Sequence, residues 1–446
     1  MPRWYGHQEF LVHTSGLSNP ELLKMLLQKH ILDIFIFALS TLFVGQLRAD
    51  TIEVCATCPV TTLQAGIDQA SPYDTVQVAA GTYPEYNIVI NKPLYLLGIG
   101  QPIIDGENKG EIVQITSDSV TLDGFVIRHV ETSYTKDHAA IRIIKSRDFI
   151  LQNLILEDFL FGIYLQKSHH GIIRNNYLNG HATNEFGSGN GIHLWYAQHV
   201  LIEGNEIEQA RDGIYFEFAD SCVIRNNYSH HNIRYGLHFM FSNHDQYERN
   251  TFEQNGAGVA VMFSKHIDMR HNTFMNNWGA SSYGLLLKEI NDAEIIGNKF
   301  IKNTIGINVE GTNRINYQNN EFKDNGWALK IRGAIYTNVF TKNNFLHNSF
   351  DLSYNSNLND NVFEKNYWSN YTGYDLDRDG LGDVPFRPVN LFSYIVNKTP
   401  ETIILLRSLF MDLIDFSEKV SPVFTPDNLM DPTPLMKPFQ SDLPPD

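Results

Sequence analysis

Between Gly191 and Asn272 the chain repeats one unit, reading GIHLWYAQHVLIEGN, DGIYFEFADSCVIRNN, YGLHFMFSNHDQYERN and AGVAVMFSKHIDMRHN. Each unit has a Gly, alternating apolar residues, a polar turn, a second short strand and an Asn. The asparagines continue in both directions as Asn153, Asn176, Asn205, Asn227, Asn250, Asn272, Asn298, Asn320, Asn344 and Asn366, in steps of 22 to 29 residues. A second column runs Gly162, Gly191, Gly213, Gly236, Gly258, Gly284, Gly306 and then Ala328. A repeat of this period restricts the chain to architectures that stack one unit on the next, and frees its 446 residues from the size limit of a single core. The units carry no leucine-rich signature and no helical stretch, so the pattern predicts an all-β, right-handed parallel β-helix.

Like residues then pile up at about 4.8 Å per coil. Buried Asn at a turn can satisfy the backbone of its own and neighbouring coils, which makes the Asn column structural. An open first coil would expose core and strand edges, and a short helix over Thr62–Ala70 is the expected lid. Asn-to-Gly spacing is normally 8 or 9 residues but reaches 15 before Gly191 and 12 before Gly284, with a similar excess around Glu131–His138. Insertions at one corner of a solenoid often line its binding surface.

The N-terminus carries an export layout: Lys29, an apolar run from Ile31 to Val44 interrupted by Asp33, then Leu47-Arg48-Ala49. It predicts a leader cleaved after Ala49, starting at Met1 or Met25, and a mature body in the periplasm; a membrane anchor is the alternative. The expected organisation is leader 1–49, β-helix 50–392 and a C-terminal helix with a Pro-rich tail over 393–446. A net charge of −16, without a basic run, speaks against nucleic acid as a partner. Cys55 and Cys58 form a CxxC pair that suits a disulfide or a soft metal such as copper.

In the strand after each Gly, the first and third residues are apolar and point inward. The second and fourth therefore point out: His193/Trp195, Tyr215/Glu217, His238/Met240, Ala260/Met262 and Leu286/Lys288. Thioether and imidazole suit Cu(I), so His238, Met240 and Met262, with His193 two coils away, form a candidate copper site. An apolar patch covered by a loop or partner is the alternative. A further column, His170, His199, Ser221, His244 and His266, reads as solvated turn residues; Met269 and Cys222 read as core. Near the C-terminus, Asp375, Asp377, Asp379 and Asp383 have the alternation of a calcium loop, but Phe386 stands where an EF-hand needs Glu; a solvated turn is the alternative. Ile403, Leu406, Phe410, Leu413, Ile414 and Phe416 give a helical stripe broken by Arg407, Asp412 and Asp415, too polar to cross a membrane.

With these residues in view, the chain resembles the NosD family of periplasmic maturation factors. The resemblance rests on RDGIY (Arg211–Tyr215), RYGLHFMFS (Arg234–Ser242), AVMFS (Ala260–Ser264), SYGLL (Ser282–Leu286) and the tail near Asp431–Pro438, and extends over the exported body. It implies a non-enzymatic role in assembling the copper–sulfur cluster of nitrous oxide reductase, with an ABC transporter permease and a copper chaperone as partners and copper as cargo. The C-terminal helix and tail would dock on the permease or pack back on the β-helix. The competing reading is a polysaccharide lyase or epimerase, with Tyr215 and His193 or His238 as acid and base. Glycoside hydrolysis fits poorly, because Glu217 and Glu310 stand four coils, about 19 Å, apart.

Overall fold

The computed structural model describes residue 24 and residues 49–355, 360–406, 408–420 and 429–440. The chain divides into two compact units, Met1–Ala49 and Asp50–Asp446. The apolar leader segment and the choice between Met1 and Met25 lie outside the described residues. Among the described residues no helix is long and apolar enough to cross a membrane.

From Thr51 to Trp368 the second unit is a parallel β-helix whose strands form three parallel sheets of 14, 13 and 12 strands among the described residues. The first sheet includes Leu201–Glu203 and Gln246–Glu248; the second includes Glu206–Glu208, Tyr228–His230 and Thr251–Glu253. The third includes Asn190–Trp195, Asp212–Glu217, Tyr235–Met240 and Ala257–Met262. All three long insertions enter third-sheet strands, so they emerge at one corner, as expected.

Inside, rings stack in register: Phe252, Phe274, Phe300, Phe322, Phe345 and Trp368 follow one another at centroid distances of 4.1 to 5.4 Å. The glycine column marks a close approach between coils. A Cβ on Gly258 would lie 2.2 Å from the carbonyl oxygen of Gly284.

The asparagine ladder runs Asn176, Asn205, Asn227, Asn250, Asn272, Asn298, Asn320, Asn343, Asn366. In the upper coils each Oδ1 accepts from the backbone and side-chain N–H groups of the asparagine one coil before it. Two expected members are displaced by one residue. Asn153 is exposed with φ +54°, and Leu154 holds the ladder position, its N–H donating to Asn176. At the other end Asn343 takes the place, while Asn344 binds the backbone of Phe439 on both sides. A second ladder, Asn232, Asn255, Asn277, Asn303, Asn325 and Asn348, lies five residues further along each coil.

Helix α1 (Leu63–Gln69) starts at Thr62, whose hydroxyl accepts from Ala65 N–H, and it buries Leu63 and Ile67 at the first coils. At the far end Asp431 terminates the first ladder: its carboxylate, fully buried, accepts from Lys365 and Asn366 N–H, the Asn366 amide and Trp368 Nε1. Residues 429–440 thus return to the last coils.

The helical stripe expected through Ile403–Phe416 is two pieces, a 3-10 turn (Pro400–Leu405) and α3 (Leu409–Val420), preceded by a further helix, α2 (Leu391–Lys398). Pro400, unable to donate to an ongoing helix, separates α2 from the 3-10 turn. Leu406, Met411 and Ile414 pack on Trp327, Phe350 and Phe392, whereas Leu409, Phe416 and Val420 remain 67–74% exposed.

Candidate functional site

The third sheet presents three outward columns, one more than the alternation after Gly reveals. The additional column is the residue before Gly. It carries Asn190, Asp212, Tyr235 and Ala257 in register. The middle column stacks Tyr164, His193, Tyr215, His238 and Ala260, and the outer one stacks Trp195, Glu217, Met240 and Met262. His238, Met240 and Met262 therefore share one face, with Met240 directly paired to Met262 on the next coil.

Outward does not mean exposed here. His193 and His238 are both buried, because the rings of their own column close over them. His193 stacks on Tyr164 at 4.3 Å and meets Tyr215 edge-on at 4.7 Å; Tyr215 in turn meets His238 at 5.0 Å. Burial and the Arg211 guanidinium push the His193 imidazole down to about 3, so it is neutral at physiological pH. Burial, with Glu217 nearby, raises the Tyr215 phenol and keeps it protonated.

Asp212 faces outward yet is fully buried. Burial pushes its carboxyl up, but the fork of Arg234 (Nε to Oδ1 2.8 Å) and the His238 ring outweigh that and hold it below the usual carboxylate range. Arg234 also lies over the Tyr235 ring at 5.1 Å. His238 Nδ1 is 3.8 Å from Asp212, and neither ring nitrogen of His238 has a hydrogen-bond partner, nor does Nε2 of His193. The His238 ring thus leans towards Asp212, Tyr215 and Tyr235, while Met262 packs on the cluster of Ala257, Ala260, Tyr283 and Leu286. The apolar patch and the thioether and imidazole side chains share one face.

Beside the methionines runs a feature that the alternation does not show. Tyr196, Phe218, Phe241 and Phe263 are exposed and stacked, at 4.7, 5.3 and 5.2 Å between successive centroids. Each has φ between +51° and +55°, at the turn leaving the sheet, so the ring cannot fold inward. Three residues on, the exposed histidines pair off as His170/His199 and His244/His266, stacked at 5.0 and 4.9 Å. Equal spacing of the four aromatics along the repeat was the signal in the sequence. Met269 and Cys222 are core, as expected.

Cys55 and Cys58 are joined in a disulfide, which leaves neither sulfur free for a metal in this state. Asp375, Asp377 and Asp379 bring carboxylate oxygens within 4.8 Å of one another. These groups also brace the loop, Asp375 accepting from Arg378 and Gly380 N–H and Asp379 from Leu381 N–H. Asp383 accepts from Leu376 N–H.

Residues 179–373 match the family model described as periplasmic copper-binding protein (NosD). The chain is 26% identical over 387 residues to the "Probable ABC transporter binding protein NosD" of Pseudomonas aeruginosa, covering 81% of this chain and 87% of that protein. It is 23% identical over 382 residues to the protein of the same description from Stutzerimonas stutzeri, with 81% and 86% covered. Among solved structures, the periplasmic alginate epimerase AlgG superposes with a TM-score of 0.50 at 12% identity over 70% of this chain and 81% of that one, a likeness of fold. The chain is thus similar over most of its length to proteins named NosD, and the part that matches the periplasmic copper-binding family model includes the coils that carry His193, Met240 and Met262.

Proposed function

We propose that this protein is an accessory factor in the maturation of nitrous oxide reductase and holds copper(I) in transit at Met240, Met262 and His238. The reading is supported above all by the two thioethers, paired on adjacent coils beside an imidazole whose nitrogens have no partner. Cu(I) favours such ligands. Both methionines are partly exposed, so they are the accessible end of the site. Binding turns the His238 ring towards the sulfurs, and since its nitrogens make no hydrogen bonds, the turn breaks none. His193, two coils away, is a positioning neighbour through Tyr215.

The exposed aromatic stack is then the surface offered to the copper chaperone or the reductase. The exposed apolar face of α3 is the contact for the ABC transporter permease; the returning segment 429–440 is committed to the last coils. A calcium ion at Asp375, Asp377 and Asp379, with Asp383 behind them, would be a separate occupant of the C-terminal loop.

The test is copper(I) affinity in competition with a chromophoric chelator. A Met240→Ala, Met262→Ala, His238→Ala variant loses one equivalent; unchanged stoichiometry and affinity would remove the site.

A glycan-acting role has one observation in its favour, the contiguous His193–Tyr215–His238 rings. However, Nε2 of His193 and both nitrogens of His238 are shut away from solvent, where a polymer lying on the sheet cannot exchange protons with them. Cleavage or epimerisation of an acidic glycan by the pure protein would reverse that judgement.

A further inference from the structure

The second sheet carries its own cluster of nitrogen and oxygen ligands, on a face that the copper(I) reading does not use. In its strands Glu206-Ile207-Glu208 and Tyr228-Ser229-His230, register sets Glu208 against His230 and Glu206 against Tyr228. His231 follows at the turn with φ +52°. The ligand atoms of Glu208, His230 and His231 all lie within 4.8 Å of one another. His230 Nδ1 is 2.7 Å from His231 Nδ1 and 3.7 Å from Glu208 Oε2.

The surroundings of these three atoms set them up as ligands. His230 Nε2 lies 3.1 Å from Glu206 Oε1. A carboxylate there holds the proton on Nε2, which leaves the Nδ1 lone pair facing His231 and Glu208. This is the arrangement found behind metal-bound imidazoles. Glu208 is oriented in the same way, its Oε1 accepting from the Tyr177 hydroxyl and its Oε2 left towards the histidines. The His230 ring is buried, and stacking on Tyr228 at 4.1 Å fixes its plane. His231 is exposed, so the cluster is open on one side.

We propose that Glu208, His230 and His231 form a metal site for a divalent ion of the Zn2+/Cu2+ class, with Glu206 and Tyr177 as positioning residues. Two imidazoles and one carboxylate suit a borderline ion, and three protein ligands leave a coordination position for water or a group from a partner. Without thioether or thiolate, the cluster discriminates against Cu(I), so it differs in kind from the methionine pair on the third sheet.

The experiment uses untagged, metal-stripped mature protein. Zn2+ is titrated by calorimetry, and Co2+ binding is read from its d–d absorption. The parent binds one equivalent with an intense low-coordination Co2+ band. Glu208→Gln and His231→Asn lose it; Asn tolerates the positive φ at position 231, and unchanged thermal melting confirms folding. Glu206→Gln, acting through His230, weakens binding by about 10- to 100-fold. Met240→Ala/Met262→Ala leaves the Zn2+ isotherm unaltered, which separates this site from the copper(I) reading. Absence of Zn2+ binding by the parent overturns the proposal. So does equal binding in Glu208→Gln and His231→Asn, which would assign the ion to the stacked surface histidines.

Discussion

The asparagine ladders inside the coil and the aromatic and imidazole ladders outside it arise from the same vertical register, yet they do opposite things. Inside, every amide is spent: Asn272 accepts from Asn250 N–H and its amide, and donates to Tyr247 O and Asn298 Oδ1. Outside, Phe241 and His266 stack on their column neighbours and stay exposed. Stacking identical residues therefore stabilises where partners saturate both sides, and presents a surface where one side is left open. The third-sheet face is intermediate. It is geometrically outside and physically buried, and it is where unpaired nitrogens collect.

Breaking an inner ladder has the largest expected effect. Asn272→Ala strands the buried Asn250 N–H, one Asn250 amide hydrogen and the Tyr247 carbonyl, at a cost on the order of 3 kcal/mol, since each buried orphan costs about 1 kcal/mol or more. Chemical denaturation reads this directly, and an unaltered midpoint would show that the ladder is ornamental.

A sharper, intermediate test uses Asp245, a carboxyl in an inner column where a later coil places Asn338. Asp245 Oδ1 accepts from Cys222 N–H, as Asn338 Oδ1 accepts from Ile315 N–H. Burial pushes the Asp245 carboxyl up to about 8. Its unfolded value is about 3.9. The folded state therefore keeps a proton that the unfolded state releases, and the contribution to stability is complete below about pH 4 and lost as pH rises through about 8. Asp245→Asn flattens stability over that window, measured as melting temperature against pH. An identical slope in both proteins would contradict a neutral Asp245.

Cutting the outer ladder has the smallest expected effect on folding. Phe241→Asn, compatible with the positive φ there, changes stability by less than about 1 kcal/mol. Its effect should appear instead as weakened co-purification with partners from envelope extracts.

Much of this was legible along the chain, and the misses have particular causes. The Asn and Gly columns followed from period alone, yet period could not tell Asn343 from Asn344, since adjacent asparagines satisfy the same count and only hydrogen bonding separates them. The second ladder and the aromatic column were equally periodic, but they lie at turns, where polar or exposed residues invite no counting. Asp212 and Tyr235 escaped because the outward alternation begins before the glycine. Helix α2 escaped because the apolar stripe that was counted begins only after Pro400.

By itself the sequence determined the coil: a side chain that must be Gly, Asn or apolar at each position, because the next coil leaves room for nothing else. It also brought His238, Met240 and Met262 to one face, which period and pairing direction suffice to set. Only the tertiary structure decided that His193 and His238 are enclosed, that Asp431 closes the ladder from 65 residues beyond Asn366, and that Glu208, His230 and His231 converge. Those outcomes depend on side-chain directions and on chain returning from far away, and neither leaves a local imprint on the order of residues.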